Sequence, residues 1–261
     1  MTLIMGVLNI TPDSFFDGGK FNSVDEAVKQ AEQLVKDGAD ILDIGAESTR
    51  PGAIALSAEQ EIERLAPVIT AIASRLSIPI SIDTYKASVA KVGLDLGATI
   101  INDISGLDDP QMAPTIAQFG AKAVIMHKQG TPSTMQTQPQ YSDVIAEVKA
   151  FLRERIDRAT AAGISEIWID PGIGFGKSLP HNLTLLAHLD QFKDLNRPIA
   201  IGTSQKRFIG DITGAPADER LAGTIASCIA SLARGATLFR VHHVKEVKQA
   251  LMVANAISEH A

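Results

Sequence analysis

Asp83, Asn102 and Asp170 each close a short apolar run. A carboxylate accepts two parallel N–H bonds from an amidine-like edge, while an asparagine both donates and accepts. Two acids and an amide together therefore suit a planar, nitrogen-rich heterocycle, although any one of them alone would serve equally as a helix cap. A second group is cationic: Lys206 follows the run Ala200-Ile201, and Arg240 and His242 follow Leu238-Phe239. Arg240 and His242 stand two apart on an extended segment and so face the same way, an arrangement suited to an anion. His243 then points oppositely, which gives it a solvent or packing role and argues against a paired metal site. His181, His188 and His260 fall on predicted helices and read as surface or packing residues.

Asp170 opens the stretch Asp170-Pro171-Gly172-Ile173-Gly174-Phe175-Gly176-Lys177-Ser178. Its Gly-Lys-Ser ending resembles a nucleotide-binding P-loop, but that pattern needs a glycine where Pro171 stands. The glycines instead are expected to let the loop approach a ligand, with Phe175 as an apolar wall.

These residues share one kind of position. Eight apolar runs end in a polar side chain: at Asn9, Asp43, Asp83, Asn102, His127, Asp170, Thr203-Ser204 and Arg240-His242. Buried parallel strands read as continuous apolar runs, and chemistry in parallel α/β folds gathers where they end. The strands are predicted at 2–8, 40–44, 79–82, 99–102, 122–126, 167–170, 198–202 and 237–241. Helical periodicity fills 24–37, 58–75, 86–96, 110–119, 142–162, 181–190, 218–233 and 244–258.

That alternation, at roughly 33 residues per unit, is the cadence of a single-domain (β/α)8 TIM barrel. A doubly wound open sheet uses the same alternation but concentrates its site at one crevice. Polar groups at all eight strand ends favour closure, with one domain over residues 1–261. Ser23 and Glu26 form a predicted capping box. Gly38, Gly97, Gly120, Gly163 and Gly235 each follow a helix where a left-handed cap wants glycine. The loops 9–22 and 45–57 are long enough to fold over a substrate, whereas 127–141 reads equally well as a plain solvated loop.

A net charge of -6 argues against a nucleic-acid or acidic-membrane partner. Cys228 is the only cysteine, so no internal disulfide framework exists, and its small-residue helix marks it as a core residue. With no basic leader region and no apolar stretch near the ~20 residues of a membrane span, a cytoplasmic location is expected.

Longer motifs carry a resemblance. Met5-Gly6-Val7-Leu8-Asn9-Ile10-Thr11-Pro12-Asp13-Ser14-Phe15, Asp43-Ile44-Gly45-Ala46-Glu47-Ser48-Thr49-Arg50-Pro51-Gly52 and Asp170 to Lys177 are joined by Ser81 to Thr84, Ile101 to Ile104, Met126 to Pro132, Gly202 to Gly210 and Arg240 to His242. Together they resemble the dihydropteroate synthases of the pterin-binding barrel group. The resemblance implies condensation of 6-hydroxymethyl-7,8-dihydropterin pyrophosphate with p-aminobenzoate, releasing pyrophosphate. It assigns pterin binding to Asp83, Asn102, Asp170 and Lys206. Pyrophosphate falls to Asn9, Arg240 and His242, with Asn9 also contacting Mg²⁺. Thr49, Arg50, Pro51 and Phe175 would shape the p-aminobenzoate site, and a homodimer is implied.

Two positions depart from the family pattern. Gln205 stands where relatives usually have arginine, and His243 where they often have an acid. A corrinoid-linked methyltransferase on the same scaffold and an inactive pterin-binding paralogue are the alternatives. The Thr-Pro-Asp-Ser-Phe and Glu-Ser-Thr-Arg-Pro loops point away from the first. The intact leaving-group residues point away from the second.

Overall fold

The computed structural model describes residues 2–10, 20–47, 55–130 and 139–260. Eight parallel strands close into a barrel in sequence order. They are β1 Leu3–Asn9, β2 Ile41–Gly45, β3 Ile80–Asp83, β4 Ile100–Asp103, β5 Lys122–Met126, β6 Ile167–Asp170, β7 Ile199–Ile201 and β8 Ala236–Val241. Closure is made by β8 against β1, with Met5 beside Arg240 and Gly6 beside Val241. The open-sheet alternative is thereby excluded.

The helices are α1 Lys20–Lys36, α2 Ala58–Arg75, α3 Ala87–Asp95, α4 Met112–Gln118, α5 Val144–Ala162, α6 Leu179–Ala187, α7 Arg207–Thr213, α8 Leu221–Leu232 and α9 Val244–Ser258. None of the described helices is long and apolar enough to cross a membrane.

Two apolar layers hold the fold together. The larger lies between the strands and the outer helices. The smaller fills the barrel axis and takes Met5, Ile41, Ile100, Val124, Trp168, Ala200 and Leu238 from seven different strands. Side chains on a strand alternate sides with a period of two. Two residues beyond Ile41, Ile100, Trp168 and Leu238 stand Asp43, Asn102, Asp170 and Arg240. The axial layer thus becomes polar in one step at the carboxyl ends of the strands.

The repeated helix-to-strand turns are built as expected, with Gly38, Gly97, Gly120 and Gly235 all at positive φ, where a Cβ is disfavoured. Cys228 is buried in α8, and burial pushes its thiol up to about 11.

Some boundaries differ from the sequence expectation. Helix α1 begins at Lys20, so Ser23 lies inside it rather than at a cap; no residue between Lys20 and Ser23 is a strong helix breaker. Between β7 and α8 an additional short helix, α7, anchors Phe208 and Ile209 in the core, and α8 starts at Leu221 rather than 218. Most of the two long loops after β1 and β2 lies outside the described residues. In the loop after β5, Gln129 pairs with the backbone of Gln140 in both directions, at 3.1 and 3.2 Å.

Candidate active site at the barrel mouth

At the centre of the mouth is Arg240. Its Nε donates to Asp43 Oδ2 and its Nη2 to Asp83 Oδ2, each at 2.6 Å. Asn102 Nδ2 donates to the same Asp43 oxygen at 3.1 Å. Strand register makes this possible, because Asp83 lies directly beside Asn102 on the neighbouring strand. All three partners of the network around Arg240 are buried. Burial opposes the guanidinium charge, but the two carboxylates outweigh it and hold Arg240 protonated.

For Asp83 the balance differs. Burial pushes its carboxyl up to about 7 against the pull of Arg240, and Asp43 adds to the rise. Among the described residues, Oδ1 of Asp43 and Oδ1 of Asp83 are buried without a hydrogen-bond partner. A buried acceptor left unmade costs about 1–3 kcal/mol, so each is a standing demand for a donor.

A second cluster adjoins the first. Asp170 accepts from the Gly172 amide at 2.7 Å. Burial raises its carboxyl, opposed chiefly by Lys206. Lys206 Nζ donates to the Ile173 carbonyl and sits 4.6 Å from the centre of the Phe175 ring. Burial brings its amine down to about 8, opposed by Asp170. A Cβ built on Gly202 would stand 3.8 Å from Arg240 Cβ and 3.9 Å from Lys206 Nζ. The two clusters therefore flank one spot at the mouth.

The loop after β6 behaves differently from expectation. Gly172 and Gly176 approach a neighbouring loop, not a ligand: added Cβ atoms would lie 1.8 Å from the His127 carbonyl and 2.3 Å from that of Gln129. Only Gly174 faces the site, next to Lys206. Lys177 locks this contact, with Nζ 3.0 Å from His127 Nδ1 and 3.0 Å from the Phe175 carbonyl. Burial lowers His127 to about 3, helped by Lys177. The imidazole is then neutral at pH 7 and its Nδ1 accepts.

His242 follows β8 and leans on the loop after β7. Its amide donates to Ser204 Oγ at 3.3 Å, and Ser204 Oγ lies 2.9 Å from His242 Nδ1. Behind Ser204, Ser227 donates to Thr203 at 2.8 Å. His243 occupies the cap position of α9, with Nδ1 buried and unpartnered among the described residues. Gln205 takes a left-handed backbone, φ 57, braced by Thr224 and Arg220 at 3.0 and 3.1 Å. Arg207 points to solvent beside Asp211.

Of the residues expected from sequence, the structure brings together Asp83, Asn102, Asp170, Lys206, Phe175 and Arg240. His242 stands beside them on Ser204, and Asn9 closes β1 next to Gly45. Thr49, Arg50 and Pro51 lie outside the described residues. Asp43 was read only as the polar end of its apolar run and given no role, although it stands two residues beyond axial Ile41. Ser204 and His127 were read only as ends of apolar runs; their contacts with His242 and Lys177 join positions far apart in sequence, which spacing does not reveal.

Comparison with known proteins gives a consistent picture. Residues 5–242 match a family described as pterin binding enzymes. Dihydropteroate synthase of Escherichia coli K12 is 46% identical over 255 residues, covering 97% of this chain and 90% of that protein. A Xanthomonas albilineans dihydropteroate synthase with 4-aminobenzoic acid superposes with TM-score 0.92 at 43% identity, covering 98% of this chain and 93% of that one. Another structure of the X. albilineans enzyme, in complex with 7,8-dihydropteroate, gives TM-score 0.89 at 40% identity, with 98% and 94% covered.

Proposed function

The chain belongs to the family of pterin-binding enzymes and works as a dihydropteroate synthase; from that premise we propose how its residues divide the reaction. It is a transferase of folate biosynthesis that joins 6-hydroxymethyl-7,8-dihydropterin pyrophosphate to p-aminobenzoate and releases pyrophosphate. In our reading, Asp83, Asn102, Asp170 and Lys206 hold the pterin. The single observation that carries this is the pair of buried acids at the mouth, Asp83 and Asp170, the first of which keeps an unpartnered oxygen. A pterin edge is rich in N–H donors and meets that demand.

Arg240 and His242 take the pyrophosphate. Positive charge placed where a leaving group gathers negative charge lowers the barrier to its departure. Arg240 already spans to Asp83, so one guanidinium links the anion site to the pterin site. Early loss of pyrophosphate leaves a methylene cation delocalised into the ring and favoured by the nearby carboxylates. The weakly nucleophilic aniline nitrogen of p-aminobenzoate then attacks that carbon and loses a proton. Phe175, Thr49, Arg50 and Pro51 shape the second site and exclude water, which would otherwise capture the cation.

Mg²⁺ is part of the proposal, with Asn9 as its protein contact. Among the described residues no group of three acids, histidines or cysteines gathers as a metal cage. Mg²⁺ takes most of its ligands from water and substrate phosphates, so one amide oxygen at a strand end fits such an ion. When bound, it would neutralise pyrophosphate charge.

A homodimer is proposed on the apolar outer face of α8 and α9. Ile229 is 36% exposed there, and Met252, Val253 and Ile257 are 62%, 60% and 67% exposed. A cytoplasmic setting is part of the proposal.

Incubating the purified protein with both substrates and Mg²⁺ tests the whole reading. Dihydropteroate identified by mass, formed only when p-aminobenzoate is present, supports it. Tight pterin binding without product would instead favour an inactive paralogue.

A further inference from the structure

Two lysines hold the loop after β6, and the scheme above gives a role to only one of them. Lys206 Nζ donates to the Ile173 carbonyl from the side of the mouth. Lys177 stands on the side of β5. Its Nζ lies 3.0 Å from His127 Nδ1 and donates to the carbonyls of Phe175 at 3.0 Å and His127 at 3.4 Å. Lys177 is 2% exposed, and its partners, two carbonyls and a neutral imidazole, carry no charge. An ammonium buried among neutral partners is costly. Burial brings its amine down to about 7; Asp170 opposes that fall and Lys206 adds to it. In return, while burial raises the Asp170 carboxyl, Lys177 joins Lys206 in opposing the rise.

The bonds around Lys177 close a circuit on Asp170. The Gly172 amide donates to Asp170 Oδ1 at 2.7 Å, and the Gly172 carbonyl accepts from the Phe175 amide at 3.1 Å. The Phe175 carbonyl accepts from Lys177, and Lys177 reaches His127. The His127 amide then donates to the Asp170 carbonyl at 3.0 Å. Gly172 is closed in at the centre of this ring: a Cβ there would stand 1.8 Å from the His127 carbonyl and 3.3 Å from Lys177 Nζ. Ile173, on which Lys206 rests, lies in the same turn. Two of the four pterin contacts therefore depend on one loop, and Lys177 is the link that joins it to β5. Asp83 and Asn102 stand on β3 and β4, and Arg240 and His242 at the end of β8, outside the circuit.

On the reading of the mouth as a synthase site, we propose that Lys177 is a positioning residue for the pterin ring: by joining His127 to the Phe175 carbonyl it sets the loop after β6, and with it the Asp170 carboxylate and the Lys206 ammonium. A lysine that merely stabilised the fold would affect ring and pyrophosphate alike. Positioning acts on the ring, because the pyrophosphate residues are carried by β8.

The test uses Lys177→Met, His127→Leu and His127→Asn in the full chain. Equilibrium binding of 6-hydroxymethyl-7,8-dihydropterin, which lacks the anion, is measured beside binding of inorganic pyrophosphate with Mg²⁺. Lys177→Met is expected to weaken the dihydropterin about tenfold or more, as for loss of a hydrogen bond from a charged group, with pyrophosphate affinity unchanged. His127→Leu removes the imidazole acceptor and should shift the same affinity in the same direction. His127→Asn supplies an acceptor again and should recover most of that loss. The His127 pair decides the matter if Lys177→Met does not fold. Unchanged dihydropterin affinity in folded variants, or equal weakening of both ligands, overturns the proposal while leaving the synthase reading intact. A wild-type protein that binds no dihydropterin overturns both.

Discussion

Arg240 carries two duties that pull against each other. It neutralises Asp43 and Asp83 and, in the proposed scheme, also attracts pyrophosphate. Arg240→Met should therefore lower both turnover and stability. Removing one partner of a buried ion cluster costs about 3–5 kcal/mol, readable by denaturant unfolding, and losing a preorganised charge at a leaving group costs roughly 10²–10³ in kcat. Arg240→Met/Asp43→Asn should recover part of the stability and none of the turnover. Lys206 sets a pH limit. Its amine is charged below about 8 and loses that charge as pH rises through this value. With pterin pyrophosphate varied, kcat/KM reports free-enzyme groups. It should fall on the alkaline side near that pH, and Lys206→Met should lack this inflection. The acids, the amide and both cations of the mouth were legible as endings of apolar runs. Asp43 was legible in the same way, as the end of Ile41-Leu42, but its bond to Arg240 was not, because 197 positions separate the two.

At the scale of elements, the loop after β6 is fixed by its neighbour. Gly172 combines φ +71 with backbone contact to His127, a site where a side chain meets both strain and overlap. Gly172→Ala should cost at least about 1–3 kcal/mol, measured by unfolding, and should weaken pterin binding because the Gly172 amide holds Asp170. Sequence showed that these glycines were needed but not what they approach. The partner, His127, lies 45 positions earlier in the chain. All eight strands and most helices were legible from periodicity. Helix α7 was not, since seven residues interrupted by Gly210 give too few apolar repeats to stand out. The start of α1 was missed because its first turn carries no capping pattern, while Ser23 and Glu26 imitate one.

For the whole molecule, closure of the sheet turns eight separate strand endings into one mouth. That outcome was legible because every strand, rather than two at a crevice, ended in a polar side chain. The stretch with Thr49, Arg50 and Pro51, to which the proposed function gives the second substrate, was legible only as a motif. The bonds of Glu47 and Lys86 join the loops after β2 and β3 to helix α2, a relation no spacing contains. The exposed apolar face of α8 and α9 leads to an assembly prediction. Sedimentation should show a dimer, and Met252→Glu with Ile257→Glu should yield monomers that still bind pterin.

The claim on which the account stands is that buried acids at the ends of β3 and β6 read the pterin ring while Arg240 and His242 read its pyrophosphate. A crystal structure of the protein with pterin pyrophosphate tests this most directly. The nitrogen-rich edge of the ring is expected against Asp83, Asn102 and Asp170, with the pyrophosphate against Arg240 and His242. A ring bound elsewhere, or bound with its pyrophosphate turned away from β8, would contradict it.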